Sequence, residues 1–321
     1  MVLQSLWTVK ELFVYPNEYI YWGIPIVMYP FMTGLVAGAF VLSSLYHLFN
    51  IKALKEIAGF SLVFSFALVM VAPLPLLTHL GHPERCLYVM LTPHFTSAIA
   101  AFGVVLFVYA SVVASELWFL FRKHLVETSR SLKSKANKVL SEKVKYWVCT
   151  ILTLGAFDVS DASLKKDAKA IKILAGAGVP IACFLHGYAG FVFGSVKANA
   201  LWMTPLMPVI FIMSAIVSGV AFCLLVYIII KQLKKMTASR KSTTAWAHAP
   251  GHDLKGVDMN VVRTTVKYLI FFMIFSISLE LLDLVFRNYT AVKSWDILRH
   301  VIYGKDFRNI FLFQYVLGSL I

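Results

Sequence analysis

Between Leu185 and Pro208 the chain reads LHGYAGFVFGSVKANALWMTPLMP. An apolar run carries the imidazole of His186 and the phenol of Tyr188 to its end, breaks at a polar link holding Lys197 and Asn199, and resumes at Trp202. Such side chains at the edge of a hydrocarbon layer are costly unless they face a cavity, water or a ligand, so they mark the first place to look for hydrogen-bond and proton chemistry. Helical residues two apart are separated by about 200°, so His186 and Tyr188 point to nearly opposite faces and do not share one small pocket. Each has two open readings. Tyr188 marks the membrane interface or holds a ligand; His186 is a site residue or a packing histidine bonded to a neighbouring helix.

Two further groups could do chemistry. His79, His82, Glu84 and Cys86 have spacings that could hold a metal, but on a proline-containing link with no second ligand pair a solvated loop is the commoner case. An imidazole titrates near neutral pH, which suits His79 to accept a proton instead. Glu280 and Asp283 stand three apart, hence on one helical face, and read either as a proton relay or as counter-charge for Arg287. Glu116, near Arg122 and Lys123, reads as an interfacial residue that snorkels to water.

The elements that position these residues are apolar spans. The 321 residues are 59% hydrophobic and only 14% charged, with mean hydropathy +0.76, far from the soluble globular range. The fold class is all-α, a polytopic transmembrane helix bundle of about seven to eight spans forming a single membrane domain over 1–321. Spans are expected at about 21–49, 57–77, 96–121, 171–193, 206–230 and 265–286, each long enough to cross roughly 30 Å of hydrocarbon. A last run from near Phe307 to Ile321 is too short to cross, so the sequence is expected to stop inside it. The N-terminus has no cleavage pattern and reads as uncleaved. Gly34 and Gly38, four apart in the first span, signal close helix packing. Pro73 and Pro75 free backbone carbonyls near the end of the second.

A net charge of +14 would suggest nucleic acid in a soluble protein. Here the charge follows topology. A basic insert at 122–170 contains an apolar run at 147–157, too short to span and expected to be interfacial or re-entrant, and a second basic loop lies at 231–263. The segments 50–56, 122–172 and 231–263 hold 21 Lys and Arg against 8 on the opposite side, which places the basic loops in the cytoplasm and the N-terminus outside. His186, Tyr188 and the link after the second span then share the outer face. Four scattered cysteines, with no CxxC pair, provide no ligand set for an iron–sulfur cluster or zinc, so any electron chain must come from partners.

The stretch HGYAGFVFGSVKANALWMTPLMPVIFIMSAIVSG, with GLVAGAFVLSSL in the first span and LGHPERCLYVMLTPHFTSAI after the second, resembles the NrfD/polysulfide-reductase membrane-subunit family. The resemblance covers roughly 21–227. It implies a haem-free multi-pass anchor in a prokaryotic cytoplasmic membrane that binds menaquinone or ubiquinone near the outer face. Such an anchor exchanges electrons with a docked ferredoxin-like iron–sulfur subunit, which serves a molybdopterin or multihaem catalytic subunit. The family's quinone-bonding tyrosine, fourteen positions before the tryptophan of its Leu-Trp pair, falls on Tyr188 relative to Trp202. A pocket histidine of the polysulfide-reductase branch, five before the first glycine of the GLxxG run, falls on Tyr29. Many relatives carry an acidic residue and an arginine where this chain has His79 and His82. The implied site is therefore Tyr188, Tyr29 and Trp202 around the quinone, with His186, His79, Glu280 and Asp283 as proton-handling candidates and no metal.

Two other functions compete. A secondary transporter would fit broken helices and intramembrane carboxylates, but the polar groups gather at one face instead of the midplane, and no inverted repeat is visible. A haem b anchor needs facing histidine pairs; His47 lies on the inner side while His79, His94 and His186 lie outside.

Overall fold

In the computed structural model, residues 23–80, 83–92, 97, 99–133, 140–195, 202–242, 256–290, 293–304 and 309 are described. They form ten α-helices: α1 (Ile24–His47), α2 (Lys55–Val71), α3 (Pro73–His79), α4 (Tyr88–Leu91), α5 (Phe102–Leu132), α6 (Leu140–Leu152), α7 (Asp161–Gly194), α8 (Met207–Ser242), α9 (Met259–Thr290) and α10 (Lys293–Tyr303). Among the described residues, six membrane-spanning segments follow from length and hydropathy: α1, the α2–α3 pair, α5, α7, α8 and α9. The expected polytopic helical bundle is therefore what the chain forms. The final run from Phe307, His82, His94, Lys197 and Asn199 lie outside the described residues.

α1 is the axis of the bundle. Its apolar window is 78% buried, against 11% for α9, because it packs on α2, α3, α7 and α8 at once. Glycine makes this possible. A Cβ at Gly38 would collide with the Ala215 carbonyl oxygen, and one at Gly219 would lie 2.5 Å from the Gly38 Cα, so α1 and α8 cross backbone to backbone. Around that crossing lie two apolar clusters, one with Tyr29, Phe40, Tyr109 and Leu185, the other with Leu42, Ile57 and Val220. The second span turns at Ala72, where α3 begins with Pro73 at its first position.

The helices outrun the apolar sequence. α5, α7 and α8 have 31, 34 and 36 residues. At 1.5 Å per residue these are about 46–54 Å long against roughly 30 Å of hydrocarbon. The basic insert is thus largely continuous helix at its two ends. Of the expected apolar run at 147–157, residues up to Leu152 end the thirteen-residue α6 and the rest form a turn with Leu154 and Gly155 at φ 51° and 81°. α6 is tied to α5 by a bond from Trp118 Nε1 to the Leu152 carbonyl (2.8 Å) and by Ser129 Oγ with Thr150 Oγ1 (2.8 Å). Leu140, Val144, Trp147 and Ile151 are exposed on it, the pattern of a helix lying in the membrane interface.

Candidate functional site

A cavity of about 80 Å³ opens among four helical segments at the end of the bundle away from the basic loops. α1 contributes Ile26 and Tyr29, α3 contributes Leu76, the start of α5 contributes Phe102 after Ile99, and α7 contributes Ala189, Val192 and Phe193. Each side chain arrives by simple periodicity: Ala189 and Phe193 are four apart on α7, and Leu76 sits on the short helix that the prolines set off from α2. Phe102 meets the Tyr29 ring edge-on at 5.2 Å. Phe193 is braced from behind by Trp202 at 5.3 Å and Phe211 at 5.7 Å.

The surface the cavity presents is wholly apolar; Tyr29 lines it with its ring, and its hydroxyl is buried behind that surface. Tyr29 is 5% exposed, and its hydroxyl is buried with no hydrogen-bond partner among the described residues. One turn further along α1, Thr33 Oγ1 lies 3.2 Å from the Tyr29 carbonyl, 3.1 Å from that of Pro30 and 3.3 Å from His186 Nδ1. Thr33 and His186 therefore pair one turn deeper than the cavity wall, and their link to Tyr29 is through its backbone carbonyl and not its phenol. His186 itself does not line the cavity. It is buried between α1 and α8, stacked on Phe211 at 5.4 Å and pressed against Gly34, where an added Cβ would come within 3.2 Å of its Cε1. Thr33 is the member that sequence reasoning missed. The signal was available: a hydroxyl four residues after Tyr29 and just before the small-residue run.

The other expected site residues fall into place unevenly. Tyr188 lies on the face of α7 turned towards α5, between Phe184 and Phe191, and its hydroxyl accepts from the Ala101 backbone N–H at 3.3 Å. It flanks the cavity one turn below Val192. The opposite faces expected for His186 and Tyr188 are those observed. Trp202 supports Phe193 and is not itself a wall of the cavity. His79 ends α3, one turn after Leu76, with its Nε2 buried and without a partner among the described residues. Asp283 binds Arg287 Nε at 2.6 Å and accepts from Thr204 Oγ1 at 2.7 Å, fastening α9 to the link before α8. The half-buried Glu280 is one turn away on α9, and neither carboxylate lines the cavity. Among the described residues no cluster of three or more His, Cys, Asp or Glu could hold a metal.

Two residues at the basic end differ from the sequence reading. Glu116 does not snorkel. It is fully buried, with Oε1 2.9 Å from His47 Nδ1, because it faces α1 and not the lipid. Arg122 is not a solvated topology charge either. Its guanidinium donates to Asp167 (2.5 Å from Nη2, 2.9 Å from Nε), to the carbonyls of Ala156 (3.2 Å) and Asp158 (2.6 Å), and to Ser163 Oγ (2.7 Å). Beside this clamp, the Ser160 N–H and hydroxyl bond the Asp158 carboxylate and, aided by Arg122 and Lys166, hold its carboxyl below the ordinary aspartate value.

Comparison with known proteins bears on this arrangement. The family model described as Polysulphide reductase, NrfD matches residues 15–316. The chain is 33% identical over 217 residues to a selenate reductase subunit of Mesobacillus selenatarsenatis, covering 66% of this chain and 49% of that protein. It is 27% identical over 225 residues to a putative dimethyl sulfoxide reductase membrane subunit of Halobacterium salinarum, covering 70% and 47%. To an Hdr-like menaquinol oxidoreductase integral membrane subunit of Archaeoglobus fulgidus it is 26% identical over 203 residues, covering 63% and 40%. The matched regions span half or less of the length of these relatives.

Proposed function

The chain belongs to the NrfD polysulphide reductase family, and from that premise we propose that it is the quinone-reactive membrane subunit of a respiratory oxidoreductase complex. The observation that carries this reading is the apolar cavity with a buried tyrosine hydroxyl in its α1 wall that bonds nothing among the described residues. A flat quinone ring that presents one of its two carbonyl oxygens to Tyr29 fits such walls, since the rings of Phe102, Phe193 and Tyr29 supply contact and the phenol supplies orientation. At about 80 Å³ the cavity holds part of a head group.

A quinol bound there supplies two electrons and two protons. The chain's own share is placement and proton handling. Tyr29 would turn its buried hydroxyl into the cavity to donate to the ligand's oxygen, and Tyr188 would fix the adjoining start of α5 through Ala101. Protons leaving the site have two imidazole acceptors, His186 behind Thr33 and His79 at the rim. Electrons would pass to a docked iron–sulfur subunit, and through it to a molybdopterin or multihaem subunit, on the face away from the basic loops. Exposed Leu87, Tyr88 and Leu91 on that face offer apolar area for docking. The distribution of Lys and Arg supports reading this as the outer face, and the family supports a prokaryotic cytoplasmic membrane. Menaquinone or ubiquinone would serve; the name of the Archaeoglobus relative favours menaquinol.

The test is quenching of a fluorescent quinol analogue by the purified, folded chain, with Tyr188→Phe and His186→Ala as companions. Saturable quenching weakened by Tyr188→Phe supports a site at the outer end of α1 and α7. No saturable quenching by the wild type in the presence of its iron–sulfur partner overturns the reading.

A further inference from the structure

A second buried titratable group lies at the opposite end of the bundle, with no part in the cavity. Glu116, on α5, is fully buried; one carboxylate oxygen meets His47 Nδ1 at 2.9 Å, and the other, Oε2, is buried with no partner among the described residues. The His47 side chain is 5% exposed and also lies 3.2 Å from Ser43 Oγ, one turn back on α1. A salt bridge retained for stability alone would have both oxygens satisfied, as Asp283 does with Arg287 and Thr204. An ionised carboxylate with a bare oxygen in an apolar bundle is far costlier than a neutral acid in the same place. His47 ends α1, and after the half-buried Leu48 the residues Phe49 and Asn50 are exposed, so the imidazole lies between the carboxyl and the basic face. In the other direction, Tyr109 lies seven residues earlier on α5, about 10 Å deeper. Its hydroxyl pairs with Ser65 Oγ at 3.0 Å in the middle of the bundle.

We propose that His47 and Glu116 form a proton-binding site that exchanges with the basic face, Glu116 holding the proton as a neutral acid and His47 passing it between the carboxyl and water. One proton moves per exchange: the imidazole takes it from water at the face and yields it to Glu116 across the Oε1–Nδ1 contact, and release reverses the path. The site does not depend on quinone binding at the other end, and its test uses no quinone.

The experiment is infrared spectroscopy of the folded chain in lipid nanodiscs, in H2O and after transfer to D2O, for wild type, Glu116→Gln and His47→Gln. The expected result is a carboxylic-acid carbonyl band in the wild type that shifts in D2O and is missing in Glu116→Gln. In His47→Gln the band persists, but its exchange slows by at least about tenfold, as loss of a proton-transfer group entails. If Glu116→Gln does not fold, carbon-13 glutamate in a Glu280→Gln background assigns the band instead, since Glu116 is then the one buried glutamate among the described residues and the label must move its band. Absence of any such glutamate band across the stable pH range would show a permanently ionised structural pair. A band that does not exchange in D2O, or one that exchanges equally fast in His47→Gln, would likewise overturn the proposal.

Discussion

Tyr29→Phe should have effects of opposite sign on binding and on stability. In the free protein the Tyr29 hydroxyl is buried with no partner among the described residues. A buried polar group left unbonded costs about 1–3 kcal/mol, so removing it should raise the stability of the unliganded chain by up to that amount. The edge-on contact with Phe102 at 5.2 Å needs only the ring and survives the change. If the hydroxyl bonds the ligand, the same 1–3 kcal/mol is recovered on binding and is lost in the variant, which weakens Kd by about 5- to 150-fold. Thermal unfolding in detergent and quinol-analogue quenching, run on one preparation, read both signs. An unchanged Kd together with unchanged or lowered stability would refute the reasoning, because the hydroxyl would then be neither unbonded nor used.

Other perturbations probe the frame. Gly219→Ala places a Cβ 2.5 Å from the Gly38 Cα, where neither backbone can yield, and should cost about 1–3 kcal/mol in detergent unfolding. Arg122→Ala strands the Asp167 carboxylate and should cost about 3–5 kcal/mol, while Arg122→Lys recovers only part of this because an ammonium cannot reproduce the fork. Ser160→Ala removes the N-cap of α7, worth about 0.5–2 kcal/mol, and lifts the Asp158 titration towards its ordinary value. Because that titration is depressed in the folded chain, its contribution is complete above about pH 3.9 and is lost as pH falls through the folded-state value. In Ser160→Ala the contribution is smaller and its loss is complete at a higher pH, and carboxyl NMR of labelled aspartate would show the raised folded-state titration.

The bundle was legible because hydropathy and the Lys/Arg distribution act on whole segments, and the family motif at Leu185–Pro208 extends to a match over residues 15–316. The ends of the helices were less so. Apolar sequence marks where lipid is, while α5, α7 and α8 continue as helices held by neighbours such as the Arg122 clamp. Glu116 shows the same limit at one residue. Its position near the basic end was readable, but whether it faced lipid or α1 depended on how the spans pair, which a single sequence does not state. Tyr29 and Tyr188 were singled out by motif spacing. That one has an unbonded hydroxyl and the other is engaged with Ala101 is a property of packing.

The most direct measurement of the central claim is photolabelling of the folded chain with a photoreactive quinone analogue, followed by peptide mapping with and without excess unlabelled quinone. Competed labels are expected in α1 around Ile26–Tyr29, at Ile99–Phe102 and at Ala189–Phe193. Competed labels confined to the basic end of the bundle, around His47, Glu116 or α6, would contradict it.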